Sequence, residues 1–496
     1  MASRFLLCCG VLLGLSCFSV RAQDSFDEYR KKRMQDFNAY RNQREKDFEE
    51  YRRKRSLEFA RYLEERWKKF EAYKGIKRPV EPKPKEPVVF DEPDTKIPDL
   101  VKIPIRKVVP VTPAPVTPNP VKLPPLKENV PVTSKTKFMF LNTPCYLAMD
   151  QSLKFTLKGI SEKHIADAYK RLFDSRYDAF YNDCAQIYQR LNLNGWGAFL
   201  LTRDIAKRLQ GAGNEAVLLQ AVLMTQLGYD VRMGVGDNRL CLMMASTESI
   251  AEYGYLKVDG RNYYIMDSTF RNGPFYTYEK NIDGAVRPID FDNPVDMKLD
   301  YAATTVRQIR SLKYPQMSAQ VSVNRNLIDY YKEMPPLAGN CWNVYARQAL
   351  ENPCYRMLLP QLRQYVTGKG QKEAASMLLD WVQTGFQYKT DDEQFGYEKP
   401  FFKEEIFFYP YCDCEDRSIL FSYLIHQLLK LDVVFIYSPG HVFTAVCFDD
   451  PVEGDYIQID GKKYIICDPT YIGADVGRCM PNYKNASFEA VRIDWN

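Results

Sequence analysis

The sequence is poor in histidine, which limits the chemistry that it can support. Only three histidines occur in 496 residues, namely His164, His426 and His441. The cysteines include no Cys-x2-Cys pair, the spacing typical of structural zinc sites. A zinc site built from separate cysteines is the minor alternative, and its candidate ligands are Cys412, Cys414, Cys447, Cys467 and Cys479. Nothing in the sequence demands a metal or a cofactor, so neither is predicted.

Long apolar segments and an excess of one charge are also missing. Beyond residue 22 no stretch is apolar over the length of a membrane span. The formal net charge is +5, and residues 24–74 alone contribute +4 through sixteen Lys or Arg and twelve Asp or Glu. The remainder is close to neutral, so no nucleic-acid partner is predicted.

Residues 1–22 have the pattern of a secretory signal peptide. Arg4 precedes an apolar run over residues 5–18, and residues 20–22 offer small side chains for cleavage. We therefore expect an exported protein, which is periplasmic, on the cell surface or secreted. The motif that ends at Cys17 is a poor lipobox, so lipidation there is the weaker alternative.

Residues 23–78 contain an eleven-residue repeat of aromatic pairs. The repeated phenylalanines are Phe26, Phe37, Phe48, Phe59 and Phe70, each followed by Tyr three residues later. Eleven residues make three helical turns, and no Gly or Pro interrupts residues 24–74, so the rings line one stripe of a helical stalk roughly 75 Å long. The stripe predicts self-association through residues 24–74. Membrane contact is a possibility without a specific indication, and a solvated helix is the alternative.

A proline-rich linker is predicted over residues 79–135. Residues 79–131 hold fifteen of the thirty prolines in the chain. Such a composition disfavours helices and central strands, so we expect a semi-rigid, extended spacer between the stalk and the globular part.

Three residues near the C-terminus have the settings that thiol catalysis needs. Cys414 precedes a helical run over residues 415–430, and a helix N-terminus stabilises a thiolate. His441 opens an alternating, strand-like run, and Asp468 ends another. A cysteine nucleophile needs a base and an acid that orients it. His426 lies roughly 18 Å along the same helix, so the candidate catalytic residues are Cys414, His441 and Asp468.

These segments resemble the transglutaminase-like superfamily, which shares the papain-like cysteine protease architecture. The resemblance covers residues 313–496 and rests on Cys-Glu-Asp-Arg-Ser, Gly-His and Cys-Asp-Pro-Thr-Tyr. It implies that Cys414 is the nucleophile, His441 the base and Asp468 the orienting acid. Cys412 stands where the family usually has glycine, which leaves the loop geometry open. The arrangement is also similar to secreted Bacteroidota proteins that carry this domain.

A second, altered copy of the pattern lies upstream. Residues 258–270 match residues 459–471 at six of thirteen positions. The ungapped alignment puts Ala212 at the place of Cys414 and Arg239 at that of His441, and only Asp267 keeps its counterpart. Residues 136–312 are therefore predicted to be a degenerate, non-catalytic module that serves as scaffold or in substrate recognition.

The predicted fold class is α+β, with two tandem transglutaminase-like modules after the helical stalk and the proline-rich linker. The resemblance implies acyl transfer through a Cys thioester, with a protein or peptide as substrate. Hydrolysis of a peptide or amide is preferred over crosslinking for a bacterial member, although the sequence does not separate them. The alternative is a non-catalytic periplasmic or cell-surface binding scaffold that oligomerises through the stalk.

Overall fold

The computed structural model describes residues 5–77, 87–90, 100–109, 135–267, 269–270, 273–292, 296–339 and 341–495. The chain is mixed α+β, as predicted. Its helices are α1 Phe5–Leu63, α2 Glu162–Arg171, α3 Asp178–Arg190, α4 Gly195–Gln210, α5 Asn214–Gln226, α6 Arg325–Lys332, α7 Trp342–Arg347, α8 Asn352–Val366, α9 Gln371–Gly385, α10 Asp391–Gln394, α11 Lys403–Phe408 and α12 Cys414–Leu429.

The strands are β1 Trp67–Glu71, β2 Ile105–Val109, β3 Thr136–Phe140, β4 Thr143–Leu147, β5 Val231–Gly236, β6 Arg239–Ala245, β7 Tyr255–Val258, β8 Arg261–Ile265, β9 Pro274–Tyr278, β10 Arg307–Arg310, β11 Ser318–Val321, β12 Gln387–Tyr388, β13 Tyr411–Cys412, β14 Asp432–Ser438, β15 His441–Cys447, β16 Tyr456–Ile459, β17 Lys462–Cys467 and β18 Phe488–Arg492.

Two six-stranded sheets have the same strand order. The first runs β1-β9-β5-β6-β8-β7, and the second, read from its edge, runs β2-β18-β14-β15-β17-β16. A helix directly precedes the central hairpin of each sheet and packs on it, α5 before β5 and β6 and α12 before β14 and β15. Residues 136–312 (module 1) and residues 313–496 (module 2) therefore share the order of their five inner strands, which agrees with the similarity between residues 258–270 and 459–471. The outer strands come from residues before 136, and they differ, because β1 pairs antiparallel and β2 parallel.

Equivalent tight turns close the β7–β8 and β16–β17 hairpins. Asp259 and Asp460 both have a φ of 49°, and the glycines that follow have φ values of 79° and 80°. Two successive residues with positive φ form a type I′ turn, which Asp-Gly favours in two-residue hairpins. The Asp-Gly sequence at residues 259–260 and 460–461 therefore explains why both hairpins have this turn.

The helical stalk is shorter than predicted. Helix α1 ends at Leu63 rather than near residue 74, and residues 67–71 form β1, which pairs antiparallel with β9. Phe59 and Leu63 are buried in the core, where the Phe59 ring contacts Tyr169 at 5.6 Å between ring centroids. The C-terminal part of the repeat is thus an element of module 1, because its apolar stripe finds a partner there.

The predicted linker is not a free spacer where the structure describes it. Strand β2 pairs in parallel with β18 at the edge of the second sheet. The backbone N–H of Phe90 donates to the carbonyl of Ile472 at 2.9 Å, and Ile103 is buried. Sheet edges tolerate neighbouring prolines, which explains how this segment pairs. Residues 78–86, 91–99 and 110–134 lie outside the described residues.

One hydrophobic core runs through both modules. The β10–β11 hairpin straddles the predicted boundary at residue 312, and Ile309 of β10 is buried in this core. No helix in the described part of the chain combines the length and apolarity that a membrane span requires.

Candidate active site

Cys414 lies at the predicted helix N-terminus, where it is the first residue of α12 rather than the residue before it, and it is completely buried. The helix N-terminus is braced by Asp416, whose carboxylate accepts the backbone N–H of Asp413 at 3.2 Å and that of Phe401 at 2.8 Å. A helix N-terminus favours negative charge, so this position suits a thiolate or an oxyanion.

The side chains of His441 and Asp468 meet at the ends of two paired strands. His441 pairs with Ser438 across the β14–β15 turn, where Gly440 has a φ of 93°. Asp468 directly follows β17, which pairs with β15. His441 Nε2 and Asp468 Oδ2 are 2.8 Å apart, and both side chains are buried. The second carboxylate oxygen of Asp468 accepts the backbone N–H of Thr470 at 2.8 Å, so the acid is fixed in place.

Two aromatic rings pack against the His441 ring, and they also contact each other. Phe443 and Tyr483 stack on it at centroid distances of 5.3 and 5.2 Å. Its Nδ1 is buried and makes no hydrogen bond within the described residues. Because Asp468 holds Nε2, Nδ1 is the nitrogen that remains to accept a proton. Burial, and then the nearby Cys414 and Asp468, raise the pKa of the Tyr483 phenol.

The Cys414 thiol contacts a carboxylate that the sequence did not single out. Its Sγ donates to Glu415 Oε2 at 3.3 Å, and Glu415 is completely buried. The sequence placed Glu415 as a first-turn acid, which favours the helix N-terminus but does not indicate burial. The structure therefore joins His441 to Asp468 and Cys414 to Glu415, and the thiol is not hydrogen-bonded to His441 Nδ1.

Buried carboxylates surround the start of α12. Oxygens of Asp391, Asp413 and Asp416 lie within 4.8 Å of one another, and so do those of Asp391, Glu398 and Glu415. Carboxylate oxygens suit hard cations such as Ca²⁺, so these residues are the ones suited to hold a metal. No cysteine joins such a group in the described part of the chain, and the zinc alternative therefore has no geometry in its favour.

Two further side chains position the loop that carries Asp468. The Gln383 amide donates to the carbonyls of Asp468, Tyr471 and Ala474 at 2.8–3.1 Å. The buried guanidinium of Arg417 donates in turn to the Gln383 carbonyl at 3.1 Å. Neither residue was predicted. Arg417 lies in the Cys-Glu-Asp-Arg-Ser segment, but Gln383 on α9 has no sequence signal.

A cleft adjoins the carboxylates at the start of α12. It has a volume of about 210 Å³ and is lined by residues that include Tyr331, Trp342, Tyr345 and Glu398. Glu398 belongs to the carboxylate group that contains Glu415, the hydrogen-bond partner of the thiol. The cleft therefore lies on the side of Cys414 that carries Glu415 and the other carboxylates.

Module 1 has an ion pair at the equivalent position. Arg239 pairs with Gly236 across the β5–β6 turn, the register that His441 has in module 2. Its guanidinium lies 3.1 Å from Asp267 Oδ2 and donates to Thr269 Oγ1 at 2.8 Å. Helix α5 begins at Asn214, so Ala212, which the alignment puts at the place of Cys414, lies outside the helix.

At the positions equivalent to Cys414 and His441, module 1 therefore has neither a thiol nor an imidazole but Ala212 and Arg239. Comparisons of the chain with protein-family models, with curated proteins and with solved structures found no match.

Proposed function

We propose that the chain is an exported, transglutaminase-like thiol enzyme that transfers an acyl group through a thioester on Cys414, with hydrolysis of a peptide or amide as its reaction. The observation that carries the proposal is the 2.8 Å contact between His441 Nε2 and Asp468 Oδ2, which leaves Nδ1 without another partner. The position of Cys414 as first residue of α12 supports the same reading.

The chemistry divides into two half-reactions. His441 Nδ1 takes the proton of the Cys414 thiol, and Sγ attacks the carboxamide carbonyl of the substrate. The C–N bond breaks, and the leaving amine receives the proton from Nδ1. Water then attacks the thioester and gives a proton to Nδ1, and the released Cys414 sulfur recovers that proton. For the first step the thiol must turn from Glu415 towards His441.

Asp468 and the start of α12 supply the electrostatic support. Asp468 accepts from Nε2–H, which fixes the tautomer of His441 and stabilises the imidazolium. Backbone N–H groups in the first turn of α12 are suited to the oxyanion of the tetrahedral intermediate. A protein or peptide is the substrate class, and an amine in place of water would give a crosslinked product.

Selective alkylation of the full chain tests the proposal. Cys412 is the internal control, because it is as buried as Cys414, so that access is equal, and burial raises its pKa to about 11. We expect iodoacetamide to modify Cys414 at neutral pH at least tenfold faster than Cys412, and His441→Ala to remove most of this difference. Peptide mass spectrometry measures both sites in one sample. Equal rates at the two cysteines, unaffected by His441→Ala, would refute the thiol–imidazole pair.

A non-catalytic binding scaffold is the second candidate. It is favoured by the complete burial of both Cys414 and His441, and by the Arg239–Asp267 ion pair that replaces the site in module 1. Incubation with a library of peptide amides distinguishes the candidates. A scaffold binds peptides without releasing ammonia, amine or a new C-terminus, whereas the enzyme releases one of them and Cys414→Ser does not.

A further inference from the structure

We propose that two copies of this chain associate through the exposed half of helix α1. The repeated phenylalanines pass from solvent into protein along the helix. Phe37 is 60% exposed, Phe48 is half-buried and Phe59 is 8% exposed. The stripe therefore has two halves. The docked half, residues 48–63, packs on module 1. The undocked half does not, and the structure describes its side chains within residues 31–47.

The docked half shows what the repeat binds. Arg52 forms an ion pair with Asp178 at 2.7 Å, and its guanidinium lies 5.2 Å from the ring centre of Tyr181. Phe59 packs edge-on against Tyr169. Side chains of the repeat thus form an interface between α1 and the helices α2 and α3 of module 1.

The undocked half repeats the same side chains in the same geometry. Arg44 lies over the Tyr40 ring at 5.9 Å, as Arg55 lies over Tyr51 at 5.7 Å one repeat later, and both tyrosines are exposed. Phe37 stands eleven residues before Phe48 and so falls on the same stripe. The phenylalanine stripe of the undocked half is a continuation of the interface that Phe59 makes, and Phe37 and Tyr40 face solvent.

A second copy of this helix fits the undocked half best. The surface of module 1 that receives the stripe is already covered by residues 48–63. Residues 37–47 contain three basic and two acidic side chains, and residues 26–36 contain four and three. Such balanced charge gives little attraction to an anionic membrane, but it allows ion pairs along two copies of the same stripe, as in coiled coils. The inference is independent of the proposed catalysis.

Sedimentation equilibrium of the full chain at micromolar concentrations tests the inference. The test variant is Phe37→Glu with Tyr40→Glu, because both rings are exposed and their loss leaves the folded modules intact. The control is Ala39→Glu, which is exposed and lies about 200° around the helix from Phe37. We expect the wild type and the control to form dimers, and the double variant to dissociate at least tenfold more readily.

Two outcomes would overturn the inference. Association that persists equally in the wild type and in the double variant would place the contact elsewhere in the chain. A monomeric wild type that cosediments with vesicles of anionic phospholipid, and loses this binding in the double variant, would assign the stripe to a membrane surface instead.

Discussion

At the scale of single residues, Glu415 governs the state of the Cys414 thiol. Its buried carboxyl group accepts a hydrogen bond from the thiol at 3.3 Å, and this bond favours the protonated thiol over the thiolate. Glu415→Gln removes the charge and keeps the shape. We expect alkylation of Cys414 to rise about threefold to tenfold at neutral pH.

The control for this prediction is Glu393→Gln, which removes an exposed carboxylate from nearby α10. Alkylation rates of the wild type and both variants, followed from pH 6 to pH 9, make the comparison. An unchanged or slower rate in Glu415→Gln would show that the carboxylate does not restrain the thiol.

Glu351 is a buried acid whose titration makes stability depend on pH. Its Oε1 accepts from Asn324 at 2.7 Å, whereas Oε2 has no hydrogen-bond partner among the described residues. Burial, reinforced by the charge of Glu404, raises the pKa of Glu351 from its ordinary value of 4.5 to about 8. The folded chain thus binds a proton that the unfolded chain releases, and stability falls as pH rises through this interval.

Glu351→Gln should remove this dependence. We expect the variant to exceed the wild type in free energy of unfolding by about 1–3 kcal/mol at pH 8, with a much smaller gain at pH 5. Urea unfolding at the two pH values measures the difference. A gain of the same size at both would mean that Glu351 titrates normally.

At the scale of elements, the predicted linker supplies an integral part of module 2. Ile103 is 1% exposed beneath the second sheet, close to β2, whereas Leu100, three residues earlier, is exposed. We expect Ile103→Ala to cost about 2–4 kcal/mol in free energy of unfolding and Leu100→Ala less than about 0.5 kcal/mol. Chemical denaturation of both variants checks this. Equal, small losses would mean that the segment does not dock in solution.

Local features of the elements were predictable from the sequence, and edge pairings were not. The start of α12 at Cys414, the start of β15 at His441 and the Asp259-Gly260 turn depend on side-chain periodicity and local backbone preferences. The pairing of β1 with β9 and of β2 with β18 depends on unpaired backbone groups at sheet edges far along the chain.

The same distinction applies to the site. The order Cys414, His441, Asp468 was visible because each residue has a local setting. Glu415 and Gln383 act through burial and through contacts with distant backbone, which no local pattern encodes. The predicted stalk helix is too long for a related reason. The absence of Gly and Pro in residues 24–74 permits a helix, but it does not exclude that part of the segment pairs with a distant sheet edge, as β1 does.

At the scale of the whole molecule, the two modules should unfold together. Their shared core is reinforced by polar contacts between them, including a 2.7 Å hydrogen bond from Tyr330 of α6 to Asn194 Oδ1 and a 3.0 Å ion pair of Arg347 with Asp292. Module 2 also takes its edge strand from residues 105–109, so residues 313–496 do not contain all of its sheet.

Two buried cysteines report on each module separately. Cys184 lies in α3 of module 1, and Cys467 lies in β17 of module 2. Burial raises the pKa of Cys184 to about 12 and that of Cys467 beyond it, so both resist alkylation until their surroundings unfold. Pulses of iodoacetamide across a urea series should give coincident midpoints, and Leu218→Ala in module 1 should shift both. Labelling of Cys467 while Cys184 stays protected, or a shift confined to Cys184, would show instead that module 1 folds alone and does not hold the site of module 2 in place.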